Sequence, residues 1–406
     1  MPKAKARWLE NRRATQTAAR RGASEAGGQT SIAVSWAARV VRDFVRAQHR
    51  SRPHPLWMRL ALLSAALALL SACGGTNPSS EPLAIPATTN AWSWVDVPGT
   101  ACSDGSQTGV AVSRGTGPDV LLFLDGGGAC WDYTTCFVLD LARPGPFGRA
   151  EFEANQASLP GTILDREVQG NPFTRFTLVY VPYCTGDLHA GDAVQSYSPG
   201  AGLPGRTWFH RGRANLAAVL PRLAATFPHP PRLVFAGSSA GGFGVLLNDE
   251  ALHAAWPAGA TFVIDDSGPP LESTALNADL RAAWRSAWNL DPFVDPFCPT
   301  CKDDFSSIVT ALTTRHPTDR LALLSSLQDE VISGYFLLPQ PVFQPALLVM
   351  IHDRFDPVPS ARTFLVPGSD HALFQAPARF TTQGTPLITW LTQMVGSDAA
   401  WRSVAP

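Results

Sequence analysis

The stretch Arg232-Leu-Val-Phe-Ala-Gly-Ser-Ser-Ala-Gly-Gly-Phe-Gly244 decides the fold. An apolar run, Leu233–Ala236, ends in a turn of small residues, and a helix-compatible segment, Gly244–Trp256, follows directly. Gly237-x-Ser239-x-Gly241 is the pattern of a sharp strand-to-helix elbow. Such a turn forces the serine into a strained backbone conformation and holds its hydroxyl clear of the sheet, so its neighbours must lack bulk. The helix N-terminus behind the serine favours negative charge. A Ser/Gly-rich surface turn has the same letters, but the strand before it and the helix after it favour the elbow.

Working outward, five more apolar runs end in turn residues: Val120–Leu124, Phe176–Val181, Phe262–Ile264, Leu321–Leu324 and Thr363–Val366. Helical stretches are predicted over Arg213–Ala225 and Asp304–Thr314. Short apolar strands without strict alternation are what a sheet buried on both faces requires. The expected class is therefore α/β, an α/β-hydrolase-like, mostly parallel central sheet with helices on both faces. Function in such sheets gathers beyond the carboxyl ends of the strands.

Those loops carry reactive residues. A serine hydroxyl is a poor nucleophile until a base takes its proton, and after the elbow the usual order is acid, then histidine. His253 falls in the helix behind the elbow, His316 lies in a His-Pro turn, and His352 opens a Pro-rich segment as the rival. His371, in Gly368-Ser-Asp-His371 just past the last run, is the chosen base. Asp265, Asp266, Asp329 and Asp356 all follow apolar runs. Asp329 is the chosen acid, and Asp266-Ser-Gly268 reads as turn chemistry. Asp125-Gly-Gly-Gly-Ala-Cys130 brings backbone N–H groups close to an oxyanion; no Lys-Ser/Thr follows to make it a phosphate loop. Trp131, Tyr133, His189, Trp208 and His210 are candidates for the pocket wall, and equally for the core.

The formal net charge of −1 over 406 residues adds two unlike pieces. Residues 1–57 hold 12 basic and 3 acidic side chains, leaving 20 and 30 for residues 58–406. An acidic body argues against nucleic acid as a partner, and 45% hydrophobic residues exclude disorder for the bulk. Met58-Arg59, the Leu60–Leu70 run and Ser71-Ala72-Cys73 have the pattern of a secretory signal. The run spans about 16 Å as a helix, roughly half of the hydrocarbon core. Leu70-Ser-Ala-Cys73 resembles the lipobox of bacterial lipoproteins, which implies lipidation of Cys73 and an exported protein at the outer membrane or cell surface. The expected organisation is an extension at 1–57 upstream of a start at Met58, a signal at 58–72, a tether at 73–90 and one domain at 91–406. If the extension is part of the protein, a helix is expected over Ile32–Gln48.

Six further cysteines in an exported chain, Cys102, Cys130, Cys136, Cys184, Cys298 and Cys301, read as three disulfides among several possible pairings. Cys130 with Cys136 and Cys298 with Cys301 are local candidates, which leaves Cys102 with Cys184. A zinc site on Cys298-x-x-Cys301 lacks a second ligand pair.

Together, Phe123-Leu-Asp-Gly-Gly-Gly-Ala-Cys130 with Cys136, Val181-Pro-Tyr-Cys184, Gly237-Ser-Ser-Ala-Gly-Gly242 and Asp266-Ser-Gly268 resemble the pectinacetylesterase (Notum-type) family of serine carboxylesterases, in order and spacing. The resemblance implies Ser239 as nucleophile, Asp329 as acid, His371 as base, and Gly127, Gly128 and Ala240 as oxyanion donors. Where the family commonly has an aromatic residue in the Gly-rich segment, this chain has Gly128-Ala129. The expected activity is hydrolysis of acetyl or short acyl esters, on a carbohydrate or a small ester, without cofactor or metal. The alternatives are an exported polyester or lipid acyl-ester hydrolase and a non-catalytic ligand-binding lipoprotein.

Overall fold

The computed structural model describes residues 89–257 and 260–406. The 1–57 extension, the signal, Cys73 and most of the tether lie outside the described residues. In chain order the elements are β1 (Trp92–Asp96), β2 (Gly109–Ser113), β3 (Val120–Leu124), α1 (Arg149–Asn155), β4 (Thr177–Val181), β5 (Ala193–Tyr197), β6 (Arg206–His210) and α2 (Gly212–Thr226). There follow β7 (Arg232–Ser238), α3 (Ala240–Ala255), β8 (Ala260–Asp266), α4 (Ala278–Trp288), α5 (Ser307–Arg315) and β9 (Arg320–Ser326). The last are α6 (Glu330–Tyr335), α7 (Gln340–Arg354), β10 (Ala361–Val366) and α8 (Leu387–Val395), with short helical turns and a small hairpin between them.

Eight strands form one sheet in the order β1-β2-β4-β3-β7-β8-β9-β10. From β4 to β10 every neighbouring pair is parallel; β1 and β2 extend one edge antiparallel. The six anticipated apolar runs are the six parallel strands. They lack alternation because both faces are covered: Val120, Leu122 and Leu124 enter one core, and Leu121 and Phe123 enter the other. Leu233 and Phe235 against Val234 and Ala236 repeat the division in β7. The first core is closed by α2–α7, the second by α1 and α8. On α8, Leu387, Ile388, Trp390, Leu391, Met394 and Val395 are buried, the i, i+3, i+4, i+7 spacing of one helical face. Each such aliphatic side chain contributes about 1.5–3 kcal/mol on burial.

Two edge strands and the separate β5–β6 hairpin were not legible as apolar runs. In β2, Gly109 and Ser113 bracket Val-Ala-Val, too little material for a clear signal. The helix anticipated from Asp304 starts at Ser307, because Asp304 is occupied upstream: its carboxylate accepts from Ser306 and Arg354.

Three disulfides join Cys102–Cys184, Cys130–Cys136 and Cys298–Cys301. The first ties residues 82 positions apart, for which loop closure removes about 4 kcal/mol of unfolded-state entropy. No helix among the described residues is long and apolar enough to cross a membrane.

Candidate active site

Ser239 sits between β7 and α3 with φ 59° and ψ −118°, a conformation that costs a non-glycine residue about 1–3 kcal/mol. Its surroundings enforce it. A Cβ on Gly237 would overlap the Gly241 backbone, and one on Gly241 would overlap Leu124 O. The elbow is therefore possible only with glycine at both places, the physical content of the motif. The Ser239 N–H donates to Asp266 O at 2.7 Å. Ala240 is the first residue of α3, so its N–H has no partner within the helix. A Cβ on Gly126 would come to 2.7 Å from Ser238 O and 3.0 Å from Ser239 Cβ, so the first glycine of the 126–128 run is required by the close approach of the elbow. Gly128 has φ +79° and its Cβ position is filled by Leu141 O and the Tyr335 hydroxyl.

His371 follows β10 and Asp329 follows β9, the neighbouring parallel strand. Their loops stay zipped beyond the sheet, with Leu327 N–H donating to Val366 O and Gln328 N–H to Gly368 O, both at 2.9 Å. His371 Nδ1 then meets Asp329 Oδ2 at 2.7 Å. The other oxygen of Asp329 accepts from Val331 N (2.9 Å) and Ile332 N (3.0 Å), capping α6. A carboxylate held by two backbone donors, with no exposed surface, cannot turn away. It fixes the tautomer with Nδ1–H toward the acid and the Nε2 lone pair outward. His371 Nε2 is buried without a protein partner, the state of a base awaiting a proton.

The Gly-rich loop is braced from below. Asp125 accepts from Tyr180 Oη and Arg143 Nη1, each at 2.5 Å, and Arg143 N–H donates to Gly127 O at 2.7 Å. Burial, then the charge of Asp125, push the Tyr180 phenol well above its ordinary value, so it stays protonated as a donor.

The structure resolves several readings that the residues left open. His352 lies in the last turn of α7, ahead of Pro357 and Pro359, paired with Asp353, its side chain 81% exposed and remote in sequence from the elbow. His189, Trp208 and His210 are core residues. Trp208 Nε1 donates to Thr185 O, and the His210 ring bonds Thr185 O and the Tyr197 hydroxyl. Desolvation lowers His189 to about 4 and His210 to about 3, so both are neutral near pH 7. Trp131 is half-buried against Trp284, and Tyr133 packs on Phe137. Asp266 is no surface turn: it is wholly buried and bonds four donors. The signal for it was present, since two aspartates close a strand otherwise buried on both sides, and buried carboxylates are rare without partners.

Among the described residues, two groups of side chains have the composition of metal sites. Cys130, Cys136 and His210 cannot serve, as both sulfurs are in a disulfide. Asp249, His253 and His316 stand at the opposite end of the sheet. There the two imidazoles stack parallel, 3.6 Å apart at 7°, so their lone pairs do not converge. Each Nε2 is already paired, with Asp319 (2.6 Å) and Glu250 (2.8 Å). A cavity of about 30 Å³ behind α3 is bordered by Leu247, Trp284 and Phe305, and by none of Ser239, Asp329 and His371. Its volume suits water, not an acyl chain.

A profile of pectinacetylesterases matches residues 89–306. The chain belongs to the pectinacetylesterase family. Among pectinacetylesterase relatives, a palmitoleoyl-protein carboxylesterase NOTUM from Schmidtea mediterranea is 33% identical over 156 residues, covering 37% of this chain and 28% of that protein. Pectin acetylesterase 4 from Arabidopsis thaliana is 26% identical over 175 residues, covering 42% of this chain and 41% of its own length. The matches thus span less than half of the relatives. The Wnt deacylase Notum from Drosophila shares the fold at 17% identity, with a TM-score of 0.55 over 77% of this chain and 95% of that one.

Proposed function

We propose that this pectinacetylesterase-family chain is a serine carboxylesterase removing acetyl or short acyl groups, on a carbohydrate or a small ester. The observation that carries the reading is the His371–Asp329 pair, with an unpartnered Nε2, at the same carboxyl end of the parallel strands as a strained serine elbow. Ser239 Oγ attacks the ester carbonyl as His371 Nε2 takes its proton. The N–H groups of Gly127, Gly128 and Ala240 stabilise the oxyanion. His371 then protonates the leaving alcohol, and the same imidazole activates the water that hydrolyses the acyl-enzyme. The Tyr335 hydroxyl sits against Gly128 of the Gly-rich loop, a bulky side chain beside the proposed oxyanion donors that is consistent with a short acyl group. The long-chain and polyester alternatives are separated from this by a chain-length series of p-nitrophenyl esters, where a maximum at acetate or butyrate supports the short-acyl reading and one at palmitate rejects it. Ser239→Ala is expected to remove p-nitrophenyl acetate hydrolysis by about 10⁴-fold or more with the fold intact. Retained activity rejects the serine-esterase reading altogether. Export as a lipoprotein anchored at Cys73 completes the proposal, supported by the Leu70–Cys73 motif and the three disulfides; radiolabelled palmitate incorporation that survives Cys73→Ala rejects it.

A further inference from the structure

β8 lies between the strand that carries the nucleophile and the strand that carries the acid, and its last residue is Asp266. The Asp266 backbone is paired with Ser238 on one side and Leu324 on the other. Its carbonyl oxygen holds the Ser239 N–H at 2.7 Å. Its carboxylate, with no solvent exposure, reaches in two directions. Oδ2 accepts from Ser238 Oγ at 2.7 Å and from Phe374 N at 3.0 Å. Oδ1 accepts from Leu373 N at 2.8 Å and, weakly, from Ser267 Oγ at 3.3 Å. Ser238 is the residue before the nucleophile; Leu373 and Phe374 are the second and third residues after the base.

We propose that Asp266 is a positioning residue that holds the nucleophile elbow and the histidine loop in register through one buried carboxylate. The inference rests on the serine-esterase reading above. Among the described residues, no other side chain bonds both the elbow and the loop after His371. Asp329 orients the His371 ring, yet the segment after His371 leaves β10 at Val366 and crosses the sheet end without strand pairing. Two consecutive backbone N–H groups in a water-poor interior need acceptors, because a buried donor left unpaired loses its hydration without return, and the carboxylate supplies both. By the same atoms it grips the elbow. A misplacement of about 1 Å between nucleophile and base costs on the order of 10²-fold in rate, so a rigid clamp across the two loops is worth its desolvation.

The charge adds to the geometry. Burial raises the Asp266 pKa, opposed by the bonds from Ser238, Phe374 and Leu373 and by the charge of His371. An ionised carboxylate offers acceptors in all directions. An amide in its place would set an N–H₂ against one of the donors.

The test compares Asp266→Asn and Ser238→Ala in the full chain, with p-nitrophenyl acetate as probe and near-ultraviolet circular dichroism to establish folding. Asp266→Asn is expected to lose about 100-fold in kcat, and Ser238→Ala about 5-fold, with KM within twofold. A carboxylate that merely stabilised the fold would lower the melting temperature and leave kcat of the folded protein unchanged. A folded Asp266→Asn with kcat within twofold of the parent overturns the proposal, and so does a Ser238→Ala with full kcat. If Asp266→Asn does not fold, Ser238→Ala decides alone, because it removes one bond at the elbow and leaves the loop side in place. Ser239→Ala is run in parallel. Hydrolysis surviving in that variant removes the underlying esterase reading, a result distinct from full activity in the other two.

Discussion

Two histidine–carboxylate pairs occupy opposite ends of one sheet, and their distances are nearly the same. His371 meets Asp329 at 2.7 Å beyond the carboxyl ends of β10 and β9; His253 meets Asp319 at 2.6 Å near the start of β9. The difference lies in what is left over. At the first pair, Nδ1 is used and Nε2 stays buried and unpartnered. At the second, Nε2 is consumed by the carboxylate and the ring lies flat on His316, itself paired to Glu250, which Arg315 grips with two bonds. A short bond between imidazole and carboxylate is therefore no mark of chemistry. Reactivity requires a pair that is rigid on one side and incomplete on the other.

Charge-neutral substitutions can break this contrast. Asp329→Asn is expected to lower kcat by about 10⁴-fold through the wrong tautomer, whereas Asp319→Asn should leave kcat within twofold; comparable losses in both would abolish the distinction. The next effect is on stability. Asp319→Asn removes a charge-assisted bond of about 1.5–3 kcal/mol, which should lower the melting temperature by about 3 °C or more, measured by calorimetry.

A smaller effect concerns pH. Burial raises Asp249 to about 7, with His253 opposing and Asp319 and Glu250 adding to the rise. His253 is raised as well: burial pulls it down, but the Asp319 bond and the charges of Asp249, Asp319 and Glu250 outweigh it. Both pKa values lie above those of the unfolded chain. Their stabilisation is complete below the unfolded values and is lost as pH rises through the folded ones. Between about pH 4 and 7, the melting temperature of the parent should thus fall relative to that of Asp249→Asn; parallel curves would remove Asp249 as the cause. Last, His352→Ala should change neither activity nor melting temperature, since that ring projects into solvent from α7.

The comparison also explains what could be read in advance. The elbow was legible because its requirement is local: Gly237 and Gly241 collide with one another's neighbourhood across four residues. The parallel strands were legible because burial on both faces leaves no charged position in the run. His371 could be ranked above His352 from its place after the last run; that His352 closes a helix before Pro357 and Pro359 and projects into solvent is visible only in the structure. Asp266 was misread as turn chemistry because Asp-Ser-Gly is a common turn, and its acceptors are filled from more than a hundred residues away. Trp208 and His210 could be read equally as pocket or core because aromatic and basic side chains are ambiguous until their partners are known.

The sequence by itself determined the periodicities, the strained serine and the chain order of the proposed nucleophile, acid and base. These follow from sterics and hydrophobic burial over a few residues. Only the tertiary structure decided which histidine nitrogen is left free, which aspartate caps a helix while orienting a ring, and which aspartate joins two loops. Those outcomes depend on strand order, which sets β8 between β7 and β9 and β10 beside β9. A polar side chain acquires its role from the group opposite it, and that group is chosen by the packing of the whole sheet.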